Sequence, residues 1–190
     1  SNGQVLSTNG SGTLSWASNT AASALDDLSD VKSGGTNFSN SLLIGHQTTG
    51  TLSTALKNTG VGIAALDAIT SGDWNTAIGY GALTNNSSGS DNTASGQQAL
   101  YSNDTGSSNT ASGQQALFSN TTGSNNTALG YRAGHSNETG SSNVFLGYDA
   151  GYSETGSDKL YISNSQTQDL ITGDFSTGFL TFGRAGLANG

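Results

Sequence analysis

The chain has no cysteine, no proline and no methionine among its 190 residues. Without cysteine there is no disulfide, no thiol nucleophile and no thiolate-held metal, so cross-links do not stabilise the fold and the redox compartment stays unassigned. Charge is also scarce, at 9% of residues. Disordered chains are usually rich in both proline and charge, so disorder is expected mainly at the ends. Five basic residues stand against 13 acidic ones, for a net charge of −8 and no basic run, which argues against a nucleic-acid partner. No apolar run approaches the roughly 20 residues that span a bilayer, and no signal peptide is visible, so membrane insertion is not expected. The lack of methionine is expected of a fragment or a processed product.

Ser, Thr, Asn and Gly supply 101 residues, and only 32% are hydrophobic. So little apolar material cannot fill a thick core, and the core must be thin or shared between chains.

The organisation is periodic. Units NTAIGYGALTNNSSGSD, NTASGQQALYSNDTGSS, NTASGQQALFSNTTGSN and NTALGYRAGHSNETGSS begin at Asn75, Asn92, Asn109 and Asn126, 17 residues apart, and the second and third are identical at 14 of 17 positions. Weaker units start at Ser41 and Asn58, and a unit one residue short starts at Asn143. KLYIS from Lys159 then falls in register with NTAIG and closes the array. Seventeen residues are too few for a helical hairpin repeat, show no 3.6-residue stripe, and suit one flattened coil of a solenoid.

Each column has a physical reading. Asn58, Asn75, Asn92, Asn109, Asn126 and Asn143 at the first position suit a side-chain amide ladder. Thr follows as a β-branched strand column. The fourth position (Ile44, Val61, Ile78, Leu129, Leu146) is expected to point inside, although Ser95 and Ser112 interrupt it. Glycine holds the fifth position from Gly45 to Gly147, as a corner with φ > 0 or a close backbone approach requires. Ala at the eighth position and Leu at the ninth suggest a short apolar strand, and a polar tract ending in Gly reads as a turn.

Before the array, Gln4 to Leu6 and Thr13 to Trp16 flank Asn9-Gly10-Ser11-Gly12, a hairpin signal, and SALDDLSDVKSGG reads as a connector. After it, Asp169 to Phe175 and Gly178 to Phe182 alternate around a turn. Three regions follow: 1–40 hairpin and connector, 41–158 repeat solenoid, 159–190 strand and hairpin cap. The expected fold is an all-β, elongated β-solenoid or β-roll of about seven coils with hairpin flanks. Its shortage of apolar side chains is most simply met by a parallel homotrimer.

The GQVL and GSGTLSW opening and the LDDLSDV connector resemble segments of bacteriophage tail-fibre proteins. The NTAIG, NTASG and NTALG units resemble the head repeats of trimeric autotransporter adhesins, which form a trimeric β-roll and are somewhat shorter. KLYISNS with DLITGDFSTG is similar to the stretch preceding an endosialidase-type intramolecular chaperone. The resemblance implies a virion tail fibre, trimeric, joined to other tail or baseplate proteins and contacting a host glycan or protein receptor, as shaft or as receptor-binding region. A bacterial trimeric surface adhesin is the alternative.

Catalytic chemistry finds little support. His46 and His135 occupy non-equivalent positions, which suits surface or turn histidines better than a metal on a trimer axis. Asp26, Asp27 and Asp30 lack calcium-loop spacing and read as a solvated acidic connector. The carboxylates Asp67, Asp104, Glu138, Asp149 and Glu154 are isolated, unlike the paired acids of a glycan-cleaving tailspike. No catalytic residue, metal or cofactor is expected. NSS, NDT, NTT and NET at Asn86, Asn103, Asn120 and Asn137 match the glycosylation pattern but recur because the turn recurs. A Thr column could bind ice if paired with another, but here Ala or Gly follows each Thr. For receptor contact the candidates are Trp74, Tyr101, Phe118 and Tyr152, as stacking platforms for sugars or, equally, as rings packed between chains.

Overall fold

The computed structural model describes residues 4–8, 14–18, 31–33, 42–44, 54–166 and 169–183. All regular structure among them is β, in thirteen strands. β1 (Gln4–Thr8) and β2 (Leu14–Ser18) form an antiparallel hairpin, as the Asn-Gly-Ser-Gly signal predicts. β3 (Val31–Ser33), inside the predicted connector, pairs antiparallel with β4 (Leu42–Ile44) and opens the main sheet. The repeat then contributes one strand per coil: β5 (Thr59–Val61), β6 (Thr76–Ile78), β7 (Thr93–Ser95), β8 (Thr110–Ser112), β9 (Thr127–Leu129) and β10 (Val144–Leu146). β11 (Lys159–Ser163) continues the ladder, and β12 (Asp169–Asp174) and β13 (Phe179–Phe182) fold back as a meander.

β4 to β11 are all parallel and in register, each residue opposite its equivalent one coil on. This is a β-solenoid, with six complete coils described from residue 58 to 158; part of the unit from Ser41 lies outside the described residues. Seven strand spacings of about 4.8 Å make the parallel ladder roughly 34 Å long.

The interior corrects one expectation. Each strand alternates out, in, out, so the third-position side chain is inside: Ala77, Ala94, Ala111 and Ala128 are fully buried. The fourth-position column faces out, with Ile78 48% and Leu129 54% exposed. A flat coil leaves room between its walls for a methyl from the strand plus Ala and Leu from the opposite side, and Ala82, Ala99, Ala116, Leu83, Leu100 and Leu117 fill that space. Ser95 and Ser112 therefore interrupt an outer column, not the core.

Near the end of the array the recipe inverts. Phe145 replaces the strand Ala, and Gly134 and Gly151 replace the Leu of the coils before and within; a Cβ at either glycine would overlap the Phe145 ring. Large and small have exchanged walls.

The second wall is also not the short strand expected. Residues 7 and 9 of the unit adopt left-handed backbone, as at Gln98 (φ 56°) and Leu100 (φ 51°), which curls the chain into consecutive turns. These turns still hydrogen-bond coil to coil, for example Leu83 N to Ala99 O at 3.0 Å.

The glycine corner is as predicted. Gly96 has φ 139°, and a Cβ there would lie 2.6 Å from the carbonyl of Gly113 in the next coil, so conformation and close approach both demand glycine.

The Asn column is a ladder of a specific kind. Each buried Asn accepts the backbone N–H of its equivalent one coil on, from Asn75 N to Asn58 Oδ1 (2.8 Å) through Asn143 N to Asn126 Oδ1 (3.0 Å), and Asn143 serves Lys159 N in the cap. Its Nδ2 donates across the coil to the turn glycine carbonyl, as from Asn109 to Gly123 O at 2.8 Å. A second ladder, Asn86, Asn103 and Asn120, is linked amide to amide at 2.7 Å. These bonds satisfy polar groups that the thin interior would otherwise strand.

Candidate functional site

Strand alternation places two columns side by side on the outer face of the sheet. One is Thr59, Thr76, Thr93, Thr110 and Thr127; the other is Ile44, Val61, Ile78, Ser95, Ser112, Leu129, Leu146 and Ile162. The partner of each Thr across the pleat is thus the residue two further on, and it is never a second Thr. Just past the corner, Ile63, Tyr80 and Tyr148 are also exposed. The face is apolar toward both ends and polar in the middle, where Ser95, Gln97, Ser112 and Gln114 stand. A groove of about 430 Å³ lies at its C-terminal end, lined by Leu146, Ile162 and Leu170 among others.

Three of the four predicted contact aromatics come together. Tyr101, Phe118, His135 and Tyr152 occupy one column, and the 17-residue register stacks them with centroids 5.2, 5.2 and 4.8 Å apart and planes within 14°. The faces of Tyr101 and Phe118 that meet are covered by each other, so these rings pack within the chain. Trp74 is elsewhere, at the last position of its coil, 57% exposed, with the Lys57 ammonium 3.8 Å from its ring centroid.

Charged groups that sequence reasoning left as isolated are paired beside this ladder. Arg132 forks onto Asp149, Nε to Oδ1 at 2.8 Å and Nη2 to Oδ2 at 2.9 Å, with Asp149 buried. The guanidinium lies 4.7 Å from the Tyr131 ring and 4.9 Å from Tyr152. The signal was present: opposite charges replace Gln98 and Gln115 in the seventh column of adjacent coils. The Asp149 hydrogen bond raises the Arg132 pKa above its usual value. Burial, then the charge of Arg132, holds His135 below the ordinary histidine value, with Asp149 opposing.

Beneath the last coil is a cleft of about 240 Å³, lined by Tyr152, Glu154, Tyr161, Gln166 and Asp169. Glu154 takes the place of the second-ladder Asn. Its Oε1 accepts Thr155 N at 3.0 Å and Gly156 N at 2.7 Å, and its Oε2 accepts the Tyr161 hydroxyl at 2.6 Å. Burial would raise the Glu154 pKa, but the Tyr161 hydroxyl and the two N–H groups outweigh it and the net shift is downward. Burial and then the same hydrogen bond push Tyr161 up, so it stays a neutral donor. On the cap itself, Lys159 Nζ meets Asp174 Oδ2 at 2.6 Å, and this contact, with Ser176, holds Asp174 well below the usual carboxylate range.

The four glycosylation-pattern asparagines are fully buried, and each Nδ2 donates to the glycine carbonyl three residues on, so attaching a glycan would require pulling the side chain out of the turn. No group of three or more His, Cys, Asp or Glu able to hold a metal occurs among the described residues, and no helix there is long and apolar enough to cross a membrane. His46, Asp26, Asp27 and Asp30 lie outside the described residues. No protein-family model, curated protein or solved structure matches the chain.

Proposed function

We propose that this chain is a segment of a homotrimeric fibre, of a phage tail or a related injection apparatus, acting as a stiff shaft or as the host-contacting region. The observation that carries the reading is the outward fourth column. The in-register sheet face bears Val61, Ile78, Leu129 and the neighbouring Ile63, Tyr80 and Tyr148, exposed apolar side chains aligned along the axis toward its two ends. Exposed apolar patches of this kind mark an interaction site, and copies of the same chain aligned in parallel would cover them in register. The in-register ladder also suits a load-bearing element, because each coil is hydrogen-bonded to the next along the whole length. The sequence resemblance to tail-fibre segments points the same way. Sedimentation equilibrium of the purified chain is the test: a mass three times 19.0 kDa is expected, and a stable folded monomer at all concentrations overturns the reading.

A further inference from the structure

We infer that the cleft beneath the last coil is a binding site for a single uncharged or amino-bearing sugar ring. The aromatic ladder reaches Tyr152 with His135 and Arg132 in the coil above it. Every residue lining the cleft comes from the last coil or the cap, and neither His135 nor Arg132 is among them. Tyr152 thus stacks on His135 within the ladder and also borders the cleft. The apolar C–H face of a pyranose stacks on such a ring, and its hydroxyls need donors and acceptors at the rim.

Those groups are there, and one of them is held in place. Glu154 is fixed by two backbone N–H groups and the Tyr161 hydroxyl before any ligand arrives. Asp169 and Gln166 line the same cleft. A carboxylate accepts from vicinal hydroxyls, and an amide both donates and accepts. A cleft of about 240 Å³ is smaller than the roughly 300–1,000 Å³ of sites for drug-sized ligands, so it holds one ring of a longer glycan. Two carboxylates, Glu154 and Asp169, disfavour sialic and uronic acids. One such contact is weak, but identical clefts on an oligomer would add avidity.

The site deepens the attachment reading and is tested apart from the fibre reading. Saturation-transfer NMR on the full chain with methyl glycosides of glucose, galactose, mannose, N-acetylglucosamine and glucosamine is expected to show transfer to at least one. Affinity is expected to fall at least tenfold in Tyr152→Ala and at least threefold in Gln166→Ala and Asp169→Asn, while Tyr101→Ala, in the same ladder but remote from the cleft, leaves it unchanged. Gln166 is exposed, so its loss is read without concern for folding. No transfer from any of these probes, binding that survives Tyr152→Ala and Gln166→Ala, or tighter binding of glucuronic or sialic acid overturns the proposal. Sedimentation of the same sample reads the oligomer separately, so failure of the sugar site and failure of the trimer are distinct results.

Discussion

At the scale of single residues, three left-handed backbone positions recur in most coils, and glycine fills few of them. Position 17 is left-handed at Lys57, Trp74, Asp91, Ser108, Asn125, Ser142 and Asp158. A non-glycine residue there costs about 1–2 kcal/mol, and glycine costs about 0.5–1 kcal/mol in chain entropy, so Ser108→Gly is expected to stabilise by roughly 0.5–1 kcal/mol. Gly96→Ala should do the opposite. Its φ of 139° strains any side chain by roughly 1–3 kcal/mol, and the clash with the backbone of Gly113 adds to that. Urea unfolding of the two variants should move in opposite directions. Asn109 carries a different load. Removing its amide leaves Asn126 N buried without an acceptor, at roughly 1–3 kcal/mol, while Gly123 O keeps the Asn120 amide as a donor, so Asn109→Ala is expected to destabilise by roughly 1–3 kcal/mol by the same measurement.

At the scale of the coil, the 17-residue register was legible because equivalent residues face each other in a parallel ladder, so identity along the sequence becomes contact in space. Asn, Gly, Ala and Leu all fall where their columns implied. The fourth column departs from what its bulk suggests, because a three-residue strand turns only its middle side chain inward and a flat coil accepts only a small one there. Ser95 and Ser112 were the visible clue. The turns of the second wall are hidden in the sequence because left-handed residues such as Gln98 and Leu100 are not glycine; Gly81 in the seventh column and Gly134 and Gly151 in the ninth are the trace of them. The Glu154–Tyr161 pair was not legible, since it joins a turn to a strand of the cap. Its pH behaviour follows from the shift. Glu154 has a folded pKa below the ordinary 4.5, so its contribution is present above that value and is lost as pH falls through the folded pKa. Amide exchange in β11 and β12 is therefore expected to accelerate below about pH 4.5 before that of β6 to β8, and Glu154→Gln should reduce the difference, the rest coming from Asp174, whose pairing with Lys159 across the same strands is lost at still lower pH.

At the scale of the whole molecule, the coils hold the chain together through their ladder, and the outer face is the surface on which the proposed trimer rests. Repeat arrays gain stability from neighbour to neighbour, so a change on the outside of one coil leaves the ladder intact. The sequence itself supplies a tolerated replacement: Ser95 and Ser112 occupy the outer column in two coils whose strands pair like the rest. Ile78→Ser with Leu129→Ser should therefore preserve the β-sheet signal in circular dichroism. The same pair removes two of the largest exposed side chains of the column, at about 25 cal/mol per Å² of apolar surface no longer covered in each copy, so dissociation should shift to at least tenfold higher concentration. Ser95→Thr with Ser112→Thr, similar in number and place but adding only a methyl each, should leave the dissociation concentration within about threefold. A trimer indifferent to the first pair would mean that the chains meet through another surface, and the exposed side chains of β13, Phe179, Leu180 and Phe182, would then be the next to substitute.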